Sequence, residues 1–110
     1  MHDAYYADAE NQWPLINKKE FLKGIYDLLK DVGILGVIDA DAIAASDPTK
    51  SGKGLHQVDP KVVIRDFEEP GFTLVEQSYV LANKKDDMST SVFLPENRYI
   101  TNRSVLKLQK

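Results

Sequence analysis

The sequence predicts an α/β domain whose elements read as the second half of a larger sheet-and-helix fold. Three observations predict it. An apolar stripe at helical spacing runs straight into a strand-like apolar run at residues 34–38. An Asp59-Pro60 helix start then leads to a second strand pattern at Phe72. No G-x-G-x-x-G turn and no G-x-x-x-x-G-K-[ST] loop occurs anywhere. Open α/β sheets hold phosphates or nucleotides at their first strand-to-helix turn; the elements present are those that follow such a unit.

Residues 1–16 are polar with Tyr5, Tyr6 and Trp13 interleaved before Pro14, an irregular lead-in. Asn17 is an N-cap for a helix over about 18–31, with Phe21, Leu22, Ile25, Leu28 and Leu29 as its core stripe and Gly33 as its stop. Ile34-Leu35-Gly36-Val37-Ile38, ending in Asp39, is apolar enough to predict a strand covered on both faces, as in a parallel sheet. Residues 40–55 read as a small polar loop. Asp59-Pro60 then places a cap and an N1 proline ahead of a helix that buries Val62, Val63 and Phe67 and stops at Pro70-Gly71. Phe72–Leu81 is a strand. Residues 82–102 lack periodicity, and loops that long carry function or lack order. Ser104–Gln109 is a last strand, with Lys107 and Lys110 read as guards of a sheet edge.

Composition narrows the function classes. With 110 residues and 43% apolar content the chain forms one domain and buries a core. A net charge of −3 gives no electrostatic case for nucleic acid or an anionic membrane. No apolar run reaches the roughly 18 residues of a membrane span, and Met1-His2-Asp3 has no signal-peptide character. The absence of cysteine excludes disulfides, thiol catalysis and cysteine zinc sites. The expectation is a cytoplasmic protein without nucleic-acid or membrane partners.

His2 and His56 are the only histidines. His2-Asp3 beside Tyr5-Tyr6 is the densest cluster of catalytic residue types, and a carboxylate next to an imidazole tunes it as a general base; a frayed terminus is the other reading. His56 stands just ahead of the Asp59 cap, either lining a pocket or packing. Asp39 and Asp41 follow the first strand, where such sheets bind ligands, and are equally natural caps. Asp86-Asp87 reads as a solvated turn rather than a metal cage. Ser51-Gly52-Lys53-Gly54 has the wrong spacing for a phosphate loop. Arg98, in the long loop, is the anion-binding candidate because a guanidinium grips a carboxylate bidentately.

The run His2-Asp3-x-Tyr5-Tyr6, then Trp13-Pro14, resembles a group of bacterial predicted S-adenosylmethionine-dependent methyltransferases. The resemblance continues through Gly36-Val37-Ile38-Asp39, Leu55-His56-Gln57-Val58-Asp59-Pro60 and Val62-Val63. It resumes at Gly71-Phe72, Asp86-Asp87, Val92-Phe93, Arg98 and Arg103-Ser104-Val105-Leu106-Lys107, covering nearly the whole chain. It implies the carboxyl-terminal half of a class I methyltransferase domain, a partial Rossmann-like sheet. Residues 34–39, 72–81 and 104–109 would be its fifth, sixth and seventh strands, the seventh antiparallel and lying between the other two. The family pattern carries His after the aspartate of the fifth strand, where Ala40 stands, and an aspartate where Asn102 stands.

The resemblance further implies His2 and Asp3 as catalytic residues, with Tyr5, Tyr6, His56 and Arg98 on the side of an unidentified small-molecule substrate. The cofactor, S-adenosylmethionine, would be held by a glycine loop and a ribose-binding acid that residues 1–110 do not contain. The expected chain is therefore inactive alone, with Met1 standing as an internal methionine of a longer gene. The alternative is a non-enzymatic, self-associating module. A half-sheet leaves strand edges and helix faces that invite a homo-oligomer, joined near residues 1–16 and 34–39.

Overall fold

In the computed structural model, which describes residues 1–110, the Asn17 side chain accepts from the Glu20 backbone N–H and opens α1 at Lys18–Leu28. Strand β1 follows at Ile34–Ala40, then helices α2 (Pro48–Leu55) and α3 (Pro60–Glu68), and strands β2 (Thr73–Ser78) and β3 (Arg103–Gln109). A short 3-10 turn, η1, precedes them at His2–Tyr5. The architecture is α/β: one three-stranded sheet in the order β1-β3-β2, with β3 antiparallel to both neighbours. No helix is long and apolar enough to cross a membrane.

Register explains which side of the sheet is buried. Leu35, Leu108 and Leu74 stand in one row and Val37 with Leu106 in the next. These side chains share a face with Leu22 of α1, Val63 and Phe67 of α3, and Val58 and Phe72, forming the core. An extra residue at Val75 bulges β2 between Leu74 and Glu76. The other face is open: Ile34 is 50% and Ile38 57% exposed, beside Lys107 and Gly36.

Several expectations change. The apolar run at 34–38 is not covered on both faces, because every pairing in the sheet is antiparallel and helices lie against one side. Helix α1 ends at Leu28, and Phe21 and Leu28 lie outside the core, Leu28 at 88% exposure. Residues 40–55 contain α2, which starts as α3 does: Asp47 accepts from the Thr49 N–H and Pro48 fills the first helical position. The second strand is shorter than 72–81. Lys107 lies on the central strand and guards no edge, while Lys110 sits 4.7 Å above the Tyr26 ring and donates to the Leu29 carbonyl. Residues 82–102 hold no helix or strand, as expected.

The amino-terminal turn belongs to the core. Ala4 and Tyr5 are buried in it, and the Tyr5 hydroxyl donates to Asp66 of α3 at 2.6 Å. The same carboxylate receives Lys18 at 2.5 Å and both Nε and Nη2 of Arg65. Burial alone would raise its pKa, but these three partners hold the Asp66 carboxyl below the usual range. Lys18 and Arg65 reach water, but the Tyr5 hydroxyl would be left buried and unpaired, so Asp66→Ala will cost about 2 kcal/mol in urea unfolding at neutral pH. Because the folded carboxyl is depressed, its contribution is complete above the unfolded value and fades as pH falls below about 4. The wild-type protein will therefore lose stability on acidification more steeply than Asp66→Ala. Equal slopes would show that Asp66 carries no such coupling.

Candidate functional site

The chemistry collects where the carboxyl end of β1 meets η1 and α2. Gly52 of α2 makes the approach possible: a Cβ there would lie 3.1 Å from the His2 carbonyl oxygen, so glycine lets η1 lie flush against the helix. Helix α2 ends at His56, whose left-handed backbone (φ 56°, ψ 48°) turns its ring beside η1. The His2 and His56 rings meet edge-to-face at 5.4 Å. Tyr6 stacks on His56 at 5.9 Å, and Phe93 of the long loop closes on it at 4.5 Å.

Asp39 orients His2. Its Oδ1 contacts His2 Nδ1 at 2.8 Å, and its Oδ2 accepts from the His2 backbone N–H at 2.6 Å and contacts the Met1 amine at 2.6 Å. Burial raises the Asp39 pKa, but the His2 hydrogen bond and the Met1 amine outweigh it and hold it at about 2. Asp39 is thus an ionised partner that fixes the ring. On the other side, His2 Nε2 lies 3.2 Å from Asp3 Oδ1. Burial and the neighbouring His2 lower the His56 pKa, which keeps that ring neutral.

These groups border a cleft of about 590 Å³ lined by His2, Asp39, His56, Phe93, Arg98 and Arg103 among others. A second cleft of about 420 Å³ lies between α1 and α3. It has no histidine; of its charged side chains, Lys23 pairs with Asp27 and Asp66 with Lys18 and Arg65, while Lys19 and Glu69 also line it.

The structure brings His2, Asp3, Tyr6, His56 and Arg98 to one place. Tyr5 is the exception: it points into the core toward Asp66, not the cleft, because its ring completes the apolar cluster. Asp39 as the group that orients His2 was missed in the sequence, since 37 residues separate them. Its signal was position, at the end of β1. Asp41 is a cap: it accepts from the Ser104 N–H at 2.9 Å, Ser104 Oγ at 3.0 Å and Asn102 Nδ2 at 2.7 Å. Asp86 and Asp87 likewise accept from nearby N–H groups, Asp87 from Ser89 and Asp86 from Met88 and Asn102. Ser51 and Gly52 are helical, with no phosphate-loop geometry.

Comparison of the chain with protein-family models, curated proteins and solved structures finds no match.

The Asn102 side-chain amide donates to Asp41. Burial already raises the Asp41 pKa, against the two Ser104 hydrogen bonds. Asn102→Asp would set a second carboxylate against it and will destabilise the fold by about 2 kcal/mol at pH 7. A like-charge pair raises the folded pKa of one member, so the loss sets in as pH rises above the unfolded carboxyl value, is complete above the raised folded one, and vanishes in acid. Thermal melts at pH 5 and pH 8 measure it; a variant as stable as wild type at pH 8 contradicts the pairing.

Proposed function

We propose that this chain forms the carboxyl-terminal half of a class I S-adenosylmethionine-dependent methyltransferase domain and does not bind the cofactor alone. The observation that carries this reading is the strand order. β3 runs antiparallel between β1 and β2, which are parallel to each other. That is the order the resemblance implies for the fifth, seventh and sixth strands of a Rossmann-like sheet. The open face and unpaired outer edge of β1 agree with it, since the absent half would supply the fourth strand and the remaining helices.

The site fits the same reading. Ligands of open α/β sheets bind beyond the carboxyl ends of strands, and the cleft opens at the end of β1. His2, held by Asp39, is the catalytic base, with Asp3 beside it; Arg98, His56 and Tyr6 stand on the substrate side. Catalysis in the complete domain is chiefly the positioning of a nucleophile against the methyl donor, with His2 taking its proton.

The genomic DNA immediately upstream of the Met1 codon tests the proposal. We expect an in-frame continuation encoding a strand, an acidic residue with a Gly-x-Gly turn, and a helix. Calorimetric titration of the chain alone with S-adenosylmethionine should show no saturable binding. Micromolar binding, or an upstream stop codon with no such continuation, overturns it.

A second reading, a self-associating α/β module, is favoured by one observation: the exposed row of Ile34 and Ile38 on a strand with a free edge. Burying such a row contributes on the order of 2.5 kcal/mol per 100 Å² before association costs. Sedimentation equilibrium at micromolar concentration should give a homodimer or higher even oligomer, and Ile38→Lys should shift it to monomer. A wild-type mass of 12.4 kDa would end this reading.

A further inference from the structure

We propose that His2, Asp3 and His56 form a binding site for a divalent transition metal, with zinc as the best-fitting ion. One donor atom from each residue lies within 4.8 Å of the other two. The inference does not depend on the methyltransferase reading; it rests on the side chains alone.

The placement of His2 carries the argument. Asp39 Oδ1 occupies its Nδ1 side at 2.8 Å, which leaves Nε2 as the donor atom of the cluster, 3.2 Å from Asp3 Oδ1. Two ligands of one tetrahedral zinc, each at about 2.0–2.1 Å from the ion, stand about 3.3 Å apart. The His2–Asp3 separation already matches, and the His56 ring needs only to close inward.

The surroundings support a metal over a proton alone. A ligating histidine characteristically donates its other ring N–H to a carboxylate, which fixes the ring and raises its basicity; Asp39 stands in that relation to His2. Two imidazoles and one carboxylate leave a coordination position open, the arrangement of catalytic rather than structural sites. His2 and His56 also line the cleft bordered by Arg98 and Arg103. The ligand it fits is a small anion that reaches the metal with one oxygen and a guanidinium with another. A bound ion would occupy His2 Nε2 in competition with a proton, and would supply a metal-bound water as proton acceptor in its place.

The test uses the full chain, stripped of metal by a chelator. Zinc chloride is titrated calorimetrically, and cobalt chloride is followed by visible absorption. We expect one ion per chain with micromolar or tighter affinity, and a cobalt spectrum of low coordination number. Asp3→Asn removes an exposed carboxylate (side chain 66% accessible), and His56→Asn keeps a residue tolerant of the left-handed backbone. Each should weaken zinc at least about tenfold while far-UV circular dichroism stays unchanged. Asp3→Asn keeps the test decisive even if His56→Asn misfolds. Unsaturable binding by the wild-type chain, or wild-type affinity in folded Asp3→Asn, overturns the proposal.

Discussion

The site depends on one constraint, the docking of the His2–Tyr5 turn between two ionised aspartates. Asp66 on α3 holds the Tyr5 hydroxyl, and Asp39 at the end of β1 holds His2. A 3-10 turn of four residues has too few internal hydrogen bonds to persist alone. Charge-assisted bonds at both ends, with Ala4 and Tyr5 in the core between them, supply what the turn lacks. The same contacts place the His2 ring over the end of the sheet. Packing and chemistry therefore share one four-residue turn.

The second organising fact is the one-sided sheet. Helices α1 and α3 cover the face built by Leu35, Val37, Leu106 and Leu108, and the opposite face carries Ile34 and Ile38 in water. Antiparallel pairing permits this, because alternation lets one face stay solvated. What is unusual is leaving two isoleucines there. In the two proposed readings that surface is covered by a second copy or by the remaining part of a larger domain. Both proposed readings draw on this surface, and they differ only in what covers it.

The helix starts were legible where a cap and a proline coincide. Asp59-Pro60 was read correctly, and Asp47-Pro48 carries the same signal but was masked by the glycines at 52 and 54, which suggest a loop. Those glycines have different roles: Gly52 admits η1, while Gly54 meets nothing within 4 Å. At the site, His2, Asp3, His56 and Arg98 could be singled out by residue type alone. Their convergence could not, because it depends on contacts across tens of residues. Tyr5 shows the limit of residue type. Its hydroxyl and its place beside Tyr6 look functional, yet its ring packs in the core with the hydroxyl on Asp66.

The sequence by itself determined α1, α3 and the three strands, because caps, periodicity and breakers act within a few residues; α2 and η1 did not stand out from it. It determined the absence of cysteine chemistry and of any long apolar span for the same local reason. Only the tertiary structure decided which face of β1 is buried, since burial depends on where α1 and α3 land and not on the apolarity of 34–38. Only the tertiary structure set Asp39 against His2, and His2 against Asp3 and His56. The meetings of His2 with Asp39 and with His56 are relations between distant residues, and no local propensity encodes them.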